Sequence, residues 1–457
     1  MHYPWWYVPF LTSPMLIALV SVFHVLVSHY AVGGGLFLAY ETQYAHRSKS
    51  KHYLDYLKQH AWFFILITVV YGAITGVGIW WTIGLASPLA TEALIHIFVF
   101  GWAIEWVFFV IEIVSAFIFY YFWSKLEPEI HIRIGWIYAG AAWISLVLIT
   151  GITAFMLHSG SWPENRTFWA AFLNPQFLPQ TLARTGGSLL LASLYVFLHA
   201  SFKVKDDKLR NLIGKRSVKP ALCGSLLTAI GAGLWFVFLP ESARLALASA
   251  SVLNVLTAVI FALTTAVFIM MYVGPYRNPS WISPGFAILF LAFGFGAVAT
   301  GEFIREAVRK PYIVYNVVMS NQVYADEIPA LQRDGYLQSG TWTRAFVAAN
   351  YPQMMNDGRI DNSRLLDLPE RDQVKLGEVL FQYHCNDCHA GAAGYMAMGT
   401  LLHGWTPDMI RHMIDNLHII RFFMPPWCGT AQEAALLTRY LSQIAPEQPA
   451  GMYYGKE

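Results

Sequence analysis

The stretch MLIALVSVFHVLVSHYAVGGGLFLAYE, residues 15–41, holds two histidines and a closing glutamate, with no lysine, arginine or aspartate. At 1.5 Å rise per residue such a run, wound as a helix, crosses a hydrocarbon layer of about 30 Å. Apolar runs of similar kind fall at 14–44, 62–85, 93–123, 133–158, 181–203, 219–240, 249–273 and 283–306. Backbone polar groups in lipid have to be satisfied within their own segment, so each run reads as a helix. The composition agrees: 457 residues, 56% of them hydrophobic and 13% charged, against roughly 25% charged in soluble domains. The predicted fold is therefore all-α, a polytopic membrane bundle of about eight transmembrane helices followed by a small α-helical domain.

Beyond Pro311 the sequence turns polar with ordinary charge density. The expected organisation is a transmembrane domain at 1–315, a linker at 316–365 and a soluble domain at 366–457. A net charge of +2, spread over inter-helix loops, excludes a nucleic-acid partner and leaves membrane lipid as the surrounding medium. Met1 to Pro14 carry no basic leader and no small-residue cleavage site, so the first run is expected to be retained.

Lysine and arginine in alternate loops give the orientation. One side carries Arg47, Lys49, Lys51, Lys58, Lys125, Arg133, Lys203, Lys205, Lys208, Arg210, Lys215, Arg216, Lys219 and Arg277; the other, before the last domain, has only Arg166, Arg184 and Arg244. This predicts an N-terminus outside, and eight spans return the soluble domain to the outside. Trp5, Trp6, Trp80, Trp81, Trp162 and Trp169 fall near the expected outer helix ends.

Of four cysteines, two belong to Cys385-Asn-Asp-Cys388-His389, a CxxCH motif; Cys223 and Cys428 stand apart. Two thiols at this spacing form thioethers to haem, and the adjacent histidine supplies the proximal iron ligand. Covalent haem c is attached outside the bacterial inner membrane, which matches the charge count. Met424-Pro-Pro-Trp427 resembles the distal-ligand loop of small class I cytochromes c, with Met424 as sixth ligand. His403, His412 and His418 are its rivals.

Ionisable groups inside spans are costly and so are functional candidates. They are His24, His29, Glu41, His96, Glu105, Glu112, His199, Glu302, Arg305 and Glu306. Glu105 and Glu112, seven residues apart, share one helix face. Both are candidate catalytic groups, linked to haem or proton conduction. His29 stands about 140° round the helix from His24 and is not expected to serve the same iron. His96 and His158 stand near outer ends of neighbouring helices and could jointly hold a low-spin haem.

Over about residues 10–315 the chain resembles the large subunit of cytochrome bd-type quinol oxidases. Phe23-His24 with the glycine-rich run to Glu41-Thr42 is similar to that family's segment carrying a high-spin haem histidine. Ala103-Ile-Glu105 through Phe108-Phe109 to Glu112 looks like its segment with two buried glutamates. Glu129-Ile-His131 through Gly135-Trp136 is similar too. Arg305-Glu-Ala-Val-Arg-Lys-Pro-Tyr312 resembles the stretch where a glutamate ligates a second high-spin haem and an arginine holds its propionates. The resemblance implies His24 and Glu306 as iron ligands, Arg309 as a cofactor-binding residue, one or more haems b or d, and a second membrane subunit as partner.

The sequence also departs from that family. Where it places a low-spin haem histidine and methionine, this chain reads Ala183-Arg184-Thr185-Gly186 and Ala243-Arg244-Leu245-Ala246, and the quinol loop shrinks to about Pro240–Arg244. The expected function is respiratory electron transfer from a periplasmic donor through haem c to membrane haem, with dioxygen the expected acceptor. The rival is a non-catalytic electron conduit within a larger complex.

Overall fold

The computed structural model describes residues 6–8 and 10–445, so Trp5 lies outside the described residues. It contains eight helices long and apolar enough to cross a membrane: α1 (Ser13–Arg47), α2 (Lys51–Ala86), α3 (Val99–Tyr121), α4 (Pro128–Phe155), α5 (Phe177–Lys203), α6 (Asp207–Val237), α7 (Ser251–Arg277) and α8 (Pro284–Ala307). This is an integral membrane protein.

The chain divides into two compact units. One comprises Ala18–Trp80 and Leu94–Arg309; the other gathers the described residues up to Ile17, Trp81–Ala93, and those from Lys310 onward. In the bundle unit the glycine run of α1 lets helices approach closely. A Cβ on Gly33 would lie 2.0 Å from the Ser188 carbonyl oxygen, and one on Gly35 would strike the Tyr138 ring. Small residues at such crossings replace the hydrophobic drive that lipid removes. Helix α2 is interrupted by a π-turn over Leu66–Tyr71, and such turns concentrate at functional sites.

Several boundaries differ from expectation, three of them near the candidate residues. The third run breaks at Phe98, and Pro88–Ile97 forms a separate helix, so Glu105 sits six residues, about 9 Å, inside α3. The sixth helix begins at Asp207 and not near 219, because the Asp206 side chain caps the Lys208 N–H and the helix continues through charged residues beyond the apolar run. Ala243 and Arg244 belong to a separate helix, Glu241–Ser249, so the loop before α7 is longer than Pro240–Arg244. The true start of α7, Ser251-Val-Leu-Asn, still offers no methionine.

Residues 316–365 are not a linker. The short helices Ile328–Asp334, Tyr336–Ser339 and Thr343–Asn350 bury Tyr336, Leu337 and Val347 in one core with Leu380, Phe381 and Leu437. Their polar faces and short length hid this packing from composition. The core is completed by α9 (Glu370–His384), α10 (Pro407–Asp415) and α11 (Ala431–Ile444). Two small antiparallel pairs, β1 (Tyr312–Val314) with β2 (Val318–Met319) and β3 (Met355–Asn356) with β4 (Arg359–Ile360), are all the strand structure among the described residues. Helix α11 opens on a capping box: Thr430 and Glu433 exchange side-chain to backbone hydrogen bonds.

Candidate functional site

The haem c motif sits just beyond the C-terminus of α9, which the 310–445 core holds. The Cys388 and His389 N–H groups return to the Cys385 carbonyl, closing a tight turn that brings both thiols and the imidazole together. His389 Nδ1 donates to the Met396 carbonyl at 3.0 Å, which fixes the ring and leaves Nε2 as the nitrogen that could meet an iron. Asn386, between the cysteines, is buried with neither side-chain polar atom hydrogen-bonded, and the Trp427 indole N–H is also buried without an acceptor. Unsatisfied buried groups of this kind call for a further partner, and a haem with its propionates fits them. Met424 lies in a turn whose carbonyl accepts from His418 Nδ1 at 2.8 Å. His418 thus braces the Met424 backbone, while His403 and His412 are exposed.

Beside the motif, His384 Nδ1 accepts from the Tyr336 hydroxyl at 2.5 Å and the Asn321 amide at 3.1 Å. Burial, with His389 nearby, pushes its pKa down from the usual 6.5 to about 3. The unfolded chain therefore takes up a proton in a window where the folded one does not. Stability is fully present above pH 6.5 and falls progressively between pH 6.5 and 3, by about 2 kcal/mol at pH 5. Thermal melts of this unit, followed by its circular dichroism, should show that drop, and His384→Phe should flatten it.

In the bundle unit His24 comes from α1 and meets α2. Its Nδ1 lies 3.2 Å from Thr75 Oγ1, whose own proton goes to the Tyr71 and Gly72 carbonyls, so the imidazole donates and keeps Nε2 free. Gly76 lets α2 pass beside the ring, since a Cβ there would sit 3.2 Å from His24 Cε1. His29 Nδ1 donates to the Val25 carbonyl at 2.8 Å, and its ring faces Gly187 on α5. Each ring offers a single imidazole nitrogen beside a glycine, and a porphyrin iron needs no more from a protein than one or two such ligands.

At the C-terminal end of α8 and just beyond it, two ion pairs stack one turn apart. Arg305 holds Glu302 at 2.8 Å, and Arg309 holds Glu306. Arg309 also donates to the Met156 sulfur at 3.4 Å. The expected iron ligand and the expected propionate-binding arginine thus pair with each other. Glu302, to which the sequence reading gave no role, interacts electrostatically with His24, His29 and Arg184. Its signal was the i, i+4 relation to Glu306, which places both on one face.

Glu105 and Glu112 do come together. The Ser145 hydroxyl of α4 donates to Glu105 at 2.9 Å and also hydrogen-bonds Glu112, and the two carboxylates feel each other's charge. Arg184 donates to Thr150 Oγ1 at 3.3 Å, and Arg244 donates to the Leu239 carbonyl at a helix end. His96 is exposed, whereas His158 Nδ1 accepts from the Gly160 N–H at 3.1 Å.

Residues 13–236 match the family model of cytochrome bd terminal oxidase subunit I. Residues 372–441 match that of the cbb3-type cytochrome c oxidase subunit III. Among solved structures, the bd oxidase from Geobacillus thermodenitrificans superposes with a TM-score of 0.58 at 19% identity, covering 67% of this chain and 88% of that one. No curated protein matches the sequence. The fold is thus bd oxidase-like with a C-terminal helical cytochrome c-like region, and its work is membrane respiratory electron transfer involving haem. The bd match stops before α7 and α8, so the assignments of Glu306 and Arg309 belong to the proposal that follows.

Proposed function

We propose that this chain is a bd-like terminal oxidase that takes electrons from a periplasmic donor in place of quinol and reduces dioxygen to water. Haem c bound at Cys385, Cys388, His389 and Met424 is the electron entry. His24 and Glu306 would ligate one or two membrane haems b or d, which would supply the electron-storing and ligand-binding iron. Arg309 orients Glu306 and balances its charge in the buried end of α8.

The observation that carries the oxidase reading is the carboxylate pair. An electron conduit needs no proton-accepting groups inside the bilayer, where each is expensive. Glu105 and Glu112 sharing Ser145 suit a reaction that consumes protons. The lysine and arginine asymmetry supports a bacterial inner-membrane location with the N-terminus and the haem c domain in the periplasm. A second membrane subunit completes the complex.

The test is the reduced protein's response to carbon monoxide. The oxidase reading expects a high-spin non-c haem whose spectrum shifts with carbon monoxide, and oxygen uptake driven by ascorbate with a phenylenediamine mediator. Low-spin bands alone, with no carbon monoxide shift, would leave the chain as an electron conduit.

A further inference from the structure

Away from the haem candidates, the bundle core contains a chain of polar rings that none of the preceding roles uses. His60 of α2 and His199 of α5 are both buried, and their Nδ1 atoms lie 3.2 Å apart. On the far side of the same ring, His60 Nε2 lies 3.2 Å from the hydroxyl of Tyr30, which is fully buried. Tyr30 is held by stacking on Tyr195 at 4.1 Å. His199 stands one turn before the end of α5 and interacts electrostatically with exposed Lys203, on the lysine-rich side of the bundle. In the other direction Tyr30 interacts electrostatically with Tyr138, and Tyr138 with Glu112. The Phe64 ring packs against both tyrosines, 5.3 Å from Tyr30 and 5.4 Å from Tyr138.

Two histidines buried against each other are a poor way to fill a core, because every unmatched nitrogen carries a desolvation cost. Their arrangement does allow the hydrogen bonds to reverse. In one state the His199 Nδ1–H donates to His60 Nδ1, and the His60 Nε2–H donates to the Tyr30 oxygen. In the other the Tyr30 hydroxyl donates to His60 Nε2, and the His60 Nδ1–H donates to His199.

We infer that His199, His60 and Tyr30 form a proton relay from the lysine-rich end of the bundle to Glu112. A proton on His199 Nδ1 passes to His60 Nδ1, the His60 Nε2–H bond breaks as that proton joins the Tyr30 oxygen, the original Tyr30 proton goes to the Tyr138 oxygen, and the Tyr138 hydroxyl proton, which rests on the Ala31 carbonyl at 3.2 Å, turns from it to Glu112. One proton enters and one leaves, and no electron moves. Other titratable groups packed on it are Tyr56, beside both histidines, and the Tyr53–Glu41–Arg216 cluster beyond it. That cluster is a closed ion pair with Tyr53 donating to Glu41 at 2.8 Å, so it serves as an anchor and not as a link.

The inference rests on the oxidase reading, and its test separates the two. Full-length haem-loaded protein is placed in liposomes, reduced through haem c with ascorbate and the phenylenediamine mediator, and followed for haem reduction and, with a pH dye, for proton uptake. His60→Phe and Tyr30→Phe should slow proton uptake by about a hundredfold, with haem content and the rate of haem c reduction unchanged. Tyr30→Phe keeps the ring and its stacking, so a fold defect cannot account for its effect. Proton uptake at the wild-type rate in both variants overturns the relay alone. If the wild-type protein takes up no protons on reduction, the relay and the oxidase reading fall together.

Discussion

Replacing His389 with alanine is expected to abolish donor-driven reduction of the membrane haems while leaving those haems in place. In the proposed haem c site this imidazole would be the proximal iron ligand, its Nδ1–H is held by the Met396 carbonyl, and no other residue of the Cys385–His389 turn offers an equivalent nitrogen. The substitution lies in a unit with its own hydrophobic core, and such units fold on their own contacts. The bundle should therefore still assemble and bind its haems. Pyridine-haemochrome analysis should show the c-type signal lost and the non-c signal retained. Dithionite should still reduce the membrane haems; ascorbate with the mediator should not. Donor-driven reduction that persists in this variant would mean electrons enter elsewhere, and the quinol-free entry would be wrong.

What could be read without a structure, and what could not, divides along physical lines. Hydrophobic length is a strong signal, so all eight spans were legible. Their ends were not, because a helix does not stop where its apolar run stops. Starting the second span at 62 placed His60 outside the membrane list, although α2 begins at Lys51 and buries His60 completely. The CxxCH motif is local, so its position was legible, as was the pairing of Glu105 with Glu112 by helical period. Ser145, which ties those two carboxylates, comes from a different helix and carries no local mark. The same holds for Thr75 beneath His24 and for the packing of residues 316–365. These contacts depend on tertiary approach, which periodicity does not encode.

The charges of α8 illustrate the same limit. The sequence shows Glu302, Arg305, Glu306 and Arg309 in a row, and helical spacing makes two acid to arginine pairs at i, i+3 natural. Only the fold shows that Glu302 interacts with His24 and His29 of α1 and with Arg184. In a low-dielectric interior an unpaired carboxylate is unfavourable by several kcal/mol, and each of these carboxylates has an arginine one turn on as its partner.

The assignment of His24 makes the second large prediction. His24→Ala should remove one non-c haem per chain, and with it the carbon monoxide response, while haem c stays at full occupancy. The Thr75 hydroxyl accepts the His24 Nδ1–H and so sets the tautomer that leaves Nε2 for iron. Thr75→Val, which keeps the shape and removes that acceptor, should weaken haem retention by about ten- to a hundredfold without abolishing it. His29, whose Nδ1 is committed to its own helix at Val25, should behave differently: His29→Ala is expected to retain the haem with a shifted spectrum. The ordering of these three variants is the discriminating result. Haem content that is unchanged in His24→Ala and lost in His29→Ala would transfer the iron to the second histidine and leave Thr75 a packing residue.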